Sequence, residues 1–379
     1  MTFEFRWETR ISNISSEAWD GVMTGDVSPF FSWQWLASLE KAECVGAKTG
    51  WESHHLTVWK DGVLVAIAPL YLKHHSRGEF VFDQEWAEVS YRIGVDYYPK
   101  LLGMSPFTPA GGYRFLVNPD FSELQCTEAI LGEIDGKCKE MGVNSLHFLH
   151  CDPKWSEMMV SLGMSSWLHH ALVWENKGFE DFDQYLAQFK SRRRKKIKRE
   201  RRATVEQGLT FRVIPGGEAP QEYFLLMYYL YAATCDKFYN WSHYLNLQFF
   251  NELHTICKDH ILFTAAYAPN QEVPVAMSFL VHKGDWLYGR YWGCRETYEH
   301  LHFETCYYQP IQWAIENGVR FFDAGSGNAV HKQKRGFPAQ PRLSLHRHYH
   351  PGMAKIWDMN IERINQIEAR RIDMINEPG

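Results

Sequence analysis

Apolar positions along the chain follow two rhythms, alternation and a helical three-four spacing, and the chain passes from the first to the second twice. Residues 55–85, HLTVWKDGVLVAIAPLYLKHHSRGEFVFDQE, and residues 261–294, ILFTAAYAPNQEVPVAMSFLVHKGDWLYGRYWGC, read alike. Each predicts a strand, a turn at Asp61-Gly62 or Pro269-Asn270, and a longer apolar strand. A turn at Arg77-Gly78 or Lys283-Gly284 and a third strand then follow. In each half an amphipathic helix comes next, over 123–141 or 303–317, stopped by Gly142 or Gly318 and running into a strand at 143–149 or 319–323. Helical stretches precede the meanders, over 33–44 in the first half and over 222–234 and 242–259 in the second. The first half carries an insertion, residues 86–118, with YYPKLLGMSPFTPAGGYRF; inserted loops of that length are more often functional than idle. The pattern predicts a doubled α/β (α+β) unit. Its domains span 1–177 and 178–379, divided near Asn176-Lys177-Gly178, as expected of a 379-residue chain too long for one core.

Composition leaves this picture intact: 45% hydrophobic and 22% charged residues are ordinary for a globular protein. The longest apolar stretches, 63–72 and 273–281, are too short to span a bilayer, and the N-terminus alternates and carries acids, so a cytoplasmic location is expected. Eight cysteines are scattered without a C-x-x-C pair, which signals neither zinc nor redox chemistry and implies reduced, structural thiols.

Charge changes the picture more. Of the thirteen residues from Lys190 to Arg202, ten are Lys or Arg and one is Glu, a net +9 in a chain whose total is −5. A cationic helix on an acidic body points to a specific anionic ligand. Phosphate suits it, since Arg offers a planar fork and Lys a point charge. The bland alternative is a solvated helix. A second cationic element, DAGSGNAVHKQKRGF from Asp323 to Phe337, joins a glycine-rich turn able to form an anion nest to Lys332, Lys334 and Arg335. Glu304 stands in the first turn of the predicted helix, where a carboxylate is favoured, and is a candidate general base; Asp323 at a strand end and His331 are its rivals. His346, His348 and His350 alternate along a predicted strand, but no companion ligand accompanies them and no metal is expected. Serine and cysteine nucleophile motifs, a Walker loop and a Rossmann fingerprint are absent, which disfavours covalent catalysis.

Five motifs are spread over the chain: Tyr97-Tyr98-Pro99-Lys100-Leu101, Pro106-Phe107-Thr108-Pro109, Arg199-Glu200-Arg201-Arg202, Leu301-His302-Phe303-Glu304, and His331-Lys332 followed by Arg335-Gly336-Phe337. With them the chain resembles the FemAB-like "peptidoglycan biosynthesis/recognition" family of the GNAT (acyl-CoA N-acyltransferase) superfamily. The resemblance implies two tandem GNAT-like domains, each a mixed, mostly antiparallel sheet flanked by helices. It also implies an N-acyltransferase in which an amine attacks an activated acyl or aminoacyl ester, and a splayed strand offers an N–H to the developing oxyanion. On that reading the donor, acyl-CoA or aminoacyl-tRNA, is a co-substrate, and no cofactor is tightly bound. Its phosphates meet Arg192, Arg193, Lys196, Arg199, Lys332, Lys334 and Arg335, while Tyr288, Tyr291 and Trp292 flank the acyl group. Tyr98, Lys100, Phe107 and Arg114 contact the acceptor, an amine-bearing small molecule or peptide. Expected partners include tRNA and, peripherally, an anionic membrane. One departure stands out: the Gln/Arg-x-x-Gly-x-Gly/Ala loop of acetyl-CoA enzymes is missing, and Gly325-Ser326-Gly327 follows the wrong strand. The reading from another class is a non-catalytic GNAT-fold module that docks on RNA or an anionic surface through the basic helix.

Overall fold

The computed structural model describes residues 3–237, 243–325, 327 and 329–377. They form two compact units: unit 1 is Met1–His170 with Pro341–Met374, and unit 2 is Ala171–Gln340 with Ile375–Gly379.

In unit 1 the strands are β1 (Glu4–Glu8), β2 (Trp51–Ser53), β3 (His55–Lys60), β4 (Val63–Ala68), β5 (Tyr71–Lys73), β6 (Lys100–Gly103), β7 (Leu116–Val117) and β8 (Ser145–Phe148). One sheet runs β1-β3-β4-β7, all antiparallel. A second places β8, β6, β5 and β2 side by side, with β6 and β8 parallel. The helix Glu123–Met141 sits where the apolar rhythm predicts it. Its inner face is Cys126, Ile130, Leu131, Ile134 and Cys138, Ser122 caps its start through the Gln125 N–H, and Gly142 ends it in the left-handed region at φ 67°. No side chain but glycine adopts that conformation cheaply.

The first-half meander departs from expectation. Residues 79–85 do not make its third strand; β6 takes that place, and a helix, Gln84–Arg92, opens the insertion. The cause is electrostatic. Glu79 and Asp83 turn inward to the Lys100 ammonium, at 2.7 and 2.5 Å, and the backbone that delivers both carboxylates to one cation cannot also alternate along a sheet.

Unit 2 contains the end of β9 (Ser165–Glu175) together with β10 (Thr210–Pro215), β11 (Ile261–Tyr267), β12 (Ala276–Lys283), β13 (Trp286–Cys294) and β14 (Phe321–Asp323). Their order is β10-β11-β12-β13-β14-β9, antiparallel except for the β13/β14 pair. Here the expected meander forms as read, with turns at Asn270 and Gly284, both at positive φ. Arg290 is the extra residue of a bulge in β13, since Phe279 faces Tyr291 and Leu280 faces Gly289. The predicted helix over 303–317 is realised as Leu301–Phe303, a π-helical turn Glu304–Tyr308, and Gln309–Glu316.

The last strand, β15 (Ala339–His348), ends in unit 1, where Leu345–His348 pair antiparallel with β8. The long helix Pro351–Asn376 follows. The sequence reading assigns residues 341–374 to the second domain, whereas they pack in unit 1. Met353, Trp357 and Ile361 repeat at helical spacing and close a core with Trp86, Val95 and Tyr97, which removes their apolar area from water at about 25 cal/mol per Å².

Candidate functional site

The basic run forms the helix Ser191–Glu206, and its two faces differ in chemistry. Arg192, Lys195, Lys196, Lys198, Arg199 and Arg202 are exposed, and Arg193, Arg194 and Arg201 are half-buried. The inward face carries Ile197, Thr204 and the single acid of the run, Glu200. Glu200 accepts from the Arg335 guanidinium at 2.8 Å and from the Tyr308 hydroxyl. Next to it in sequence, Arg201 donates to Glu304 at 2.9–3.0 Å and to Gln312 at 3.0 Å. Two oppositely oriented ion pairs therefore fasten the basic helix to the π-helical turn and to the Lys332–Phe337 loop. Aromatic faces back both cations: the Arg335 guanidinium lies 3.4 Å from the Phe303 ring centroid and that of Arg201 lies 4.2 Å from Phe182.

Glu304 is only 3% exposed. Burial pushes its carboxyl up, and Arg201 and Gln309, the latter donating at 2.7 Å, work against that shift. It borders a cleft of about 730 Å³ lined also by Phe182, Lys198, Arg201, Arg202 and Gln312. π-helical turns cost hydrogen-bond geometry and recur at functional sites; this one turns Glu304 toward Arg201.

The parallel ladder of β13 and β14 covers three pairs, from Trp286 with Phe321 to Tyr288 with Asp323, and ends there while β13 runs on to Cys294. Past Asp323 the chain enters the glycine turn, in which Gly325 has φ 75° and its N–H donates to Asp323 Oδ1 at 2.9 Å. Ser326 and Asn328 of that turn lie outside the described residues. A short helix, Ala329–Gln333, then brings Lys332 back, and its ammonium donates to the Gly325 carbonyl at 2.6 Å. Burial pulls Lys332 down to about 8, with Asp323 holding it up. His331 and Lys334 on the same segment are exposed.

Among the residues expected beside the acyl group, Tyr288 is buried and stacks on Trp286 at 5.7 Å. Tyr291 packs edge-on to Tyr231 at 5.0 Å. Trp292 lies 4.5 Å from the His302 ring, and its carbonyl accepts from Thr234. Burial, reinforced by Arg335, Lys332 and His331, drives His302 down to about 4, so it is neutral at physiological pH.

Arg335, expected at phosphate, is instead 3% exposed and engaged by Glu200; its role is to hold the loop. In unit 1, Lys100 is 1% exposed. Burial opposes its charge, yet Glu79 and Asp83 outweigh that and raise it. Phe107 lies in the core 5.1 Å from Trp51. Neither residue is offered at the surface of the unit as an acceptor contact. Tyr98 is half-buried with its hydroxyl on Ser76 at 2.7 Å, and half-buried Arg114 reaches the Thr24 carbonyl at 3.4 Å. His55 is fully buried. His346 is buried 2.6 Å from His147, and among the described residues no group of His, Cys, Asp or Glu is arranged to hold a metal ion.

The sequence reading missed Glu200, Tyr308 and the pairing of Arg201 with Glu304. A signal was present, because one acid inside ten cations is anomalous on a solvated helix and normal on an anchored one. Also unforeseen was the ionic cluster of unit 1. There burial pushes Glu79 up to about 7 and Lys73 down to about 7, the latter 3.7 Å over the Trp51 ring.

Compared with known proteins, the chain has a fold seen in several solved structures. FemX superposes with a TM-score of 0.55 at 11% identity over 95% of this chain and 100% of that one. The C-terminal DUF2156 domain of an Agrobacterium fabrum protein superposes at 0.55 with 9% identity, covering 91% and 95%. L-PGS from Bacillus licheniformis gives 0.50 at 12% identity, covering 87% and 95%. At such identities the likeness concerns the fold. No curated protein sequence matches the chain. No helix among the described residues is long and apolar enough to cross a membrane. The family model described as peptidoglycan biosynthesis/recognition matches residues 10–379. The chain therefore belongs to the FemAB-like family.

Proposed function

We propose that the protein transfers an aminoacyl group from aminoacyl-tRNA to an amine of a peptidoglycan precursor, with unit 2 as the catalytic unit. The observation that carries this reading is the anchored basic helix. Six exposed cations lie between Arg192 and Arg202, about 15 Å of helix, while Glu200 and Arg201 tie the same helix to the segments bearing Glu304 and Lys332. A cation row of that length matches a run of backbone phosphates better than the compact phosphate group of an acyl-CoA. Arg192, Arg193, Lys196, Arg199 and Lys334 hold those phosphates. The amine nitrogen attacks the ester carbonyl, forming the C–N bond. The C–O bond to the donor sugar breaks, and the Lys332 ammonium stabilises the oxyanion between the two events. Of the three candidate bases, Glu304 is occupied by Arg201 and Gln309, and Asp323 supports the turn at Gly325. Exposed His331 takes the amine proton and returns it to the leaving oxygen. The family's description, peptidoglycan biosynthesis/recognition, supports a peptidoglycan-precursor acceptor.

The test is transfer of radiolabelled amino acid from charged tRNA to peptidoglycan-precursor peptides, with acetyl-CoA run in parallel. Transfer from tRNA that His331→Ala and Lys332→Ala each lower by about 100-fold supports the proposal. Binding of neither donor overturns it. Transfer from acetyl-CoA alone moves the reaction to the acyl-CoA class.

A further inference from the structure

Unit 1 repeats the element that unit 2 uses at its site. In β6 and β8 it has a parallel ladder of three pairs, from Leu101 with Leu146 to Gly103 with Phe148, matching β13 and β14. Beyond its end the two units differ. The edge of the β8 chain first meets β6, where the Leu149 N–H donates to the Gly103 carbonyl at 2.9 Å. It then meets Gly112 and Tyr113, which come from the insertion. Their N–H groups donate to the His150 carbonyl at 2.9 and 3.1 Å, the Tyr113 carbonyl accepts from the Asp152 N–H at 2.9 Å, and Tyr113 forms a parallel bridge with Cys151. The Tyr113 ring completes the closure. It is fully buried, stacks on Phe148 at 5.5 Å and 16°, meets Trp155 edge-on at 5.7 Å, and donates its hydroxyl to the Pro69 carbonyl at 3.1 Å. The fit is tight enough that a Cβ on Gly103 would stand 2.2 Å from the Tyr113 hydroxyl.

We infer that Gly112-Tyr113 is a built-in occupant of unit 1's wedge between β6 and β8, so that unit 1 is closed to an acyl or aminoacyl donor and the chain has one donor site, in unit 2. The inference rests on the transferase reading for unit 2. The closure itself rests on contacts inside unit 1. An entering donor would have to break three backbone hydrogen bonds and expel an aromatic ring from a packed core. The insertion thereby acts as a plug, which gives the two halves of a repeated fold different work.

Hydrogen exchange read by mass spectrometry on the full chain, alone and with saturating aminoacyl-tRNA or acetyl-CoA, tests this together with binding stoichiometry. The amides of Tyr113 and Asp152 are expected to exchange slowly in the free protein and to stay so with either donor. Bound donor should saturate at one per chain and protect peptides from β13 and the Lys332 loop. Fast exchange at Tyr113 and Asp152 without donor, their deprotection on adding donor, or two donors per chain overturns the closure. Slow exchange there with no donor bound anywhere leaves the closure standing and defeats the transferase reading instead.

Discussion

Lys332 is the residue whose chemistry is most constrained by its surroundings. Its ammonium is buried on the Gly325 carbonyl, and burial brings it down to about 8, so the charged form dominates at neutral pH and is lost as pH rises through that value. If the charge stabilises the oxyanion, the single-turnover transfer rate falls above pH 8. Lys332→Arg should move that limb to higher pH, and Lys332→Ala should lose about 100-fold, the scale of one oxyanion donor. A limb that stays at pH 8 in the arginine variant rejects the assignment. Legibility at this scale was uneven. Lys332 and Glu304 were readable because residue type and motif spacing announce a charged group. That Arg335 and Lys100 are consumed inside the protein was not, because the carboxylates opposing them stand 135 residues away in one case and 17 and 21 in the other.

The basic helix behaves as an element with an inner and an outer face, and the two are separable by mutation. Neutralising Arg192, Lys196 and Arg199 to Gln removes exposed charge only. It should weaken tRNA binding and lower the slope of log affinity against log salt by about 0.7–0.9 for each phosphate no longer neutralised, with the melting temperature unchanged. An unchanged salt slope would show that this face does not touch the phosphates. Glu200→Ala acts on the inner face. It strands the buried Arg335 guanidinium and should cost about 3–5 kcal/mol in urea unfolding, whereas Glu200→Gln keeps a hydrogen bond and should cost less. A stability change below about 1 kcal/mol in the alanine variant would mean that the ion pair is not holding the loop. The helix was legible as an element from its charge run, while the faces were not, since the run is nearly all charge and its periodicity cannot say which side is covered.

At the scale of the molecule, buried neutral histidines set an acid limit. In unit 1, burial drives His147 and His346 well below the ordinary value, His348 to about 4 and His169 to about 3. The unfolded chain protonates such groups near pH 6.5. Their native-state contribution is therefore complete above 6.5 and is lost as pH falls below it, by about 2 kcal/mol per histidine at pH 5. Unit 1 should lose stability between pH 7 and 5, seen as faster hydrogen exchange in β8, β15 and the helix Pro351–Asn376, and His346→Gln should flatten that dependence. Exchange in unit 1 that is indifferent to pH after correction for the chemical rate would exclude protonation of this cluster.

The sequence by itself determined the elements and their repetition. Alternation, glycine stops and capping residues act within a few positions, which is why the second meander and the helix Glu123–Met141 stand where the pattern puts them. It also carried the family, whose model matches residues 10–379. Only the tertiary structure decided which charges meet a ligand and which meet each other. Burial makes an unpaired charge costly, so the folded chain spends Arg335 on Glu200 and Lys100 on Glu79 and Asp83, and leaves the outer face of the basic helix in water. It also decided that residues 341–374 pack in unit 1 and that Tyr113 fills a wedge there. Both depend on partners distant in sequence, to which periodicity and spacing are blind.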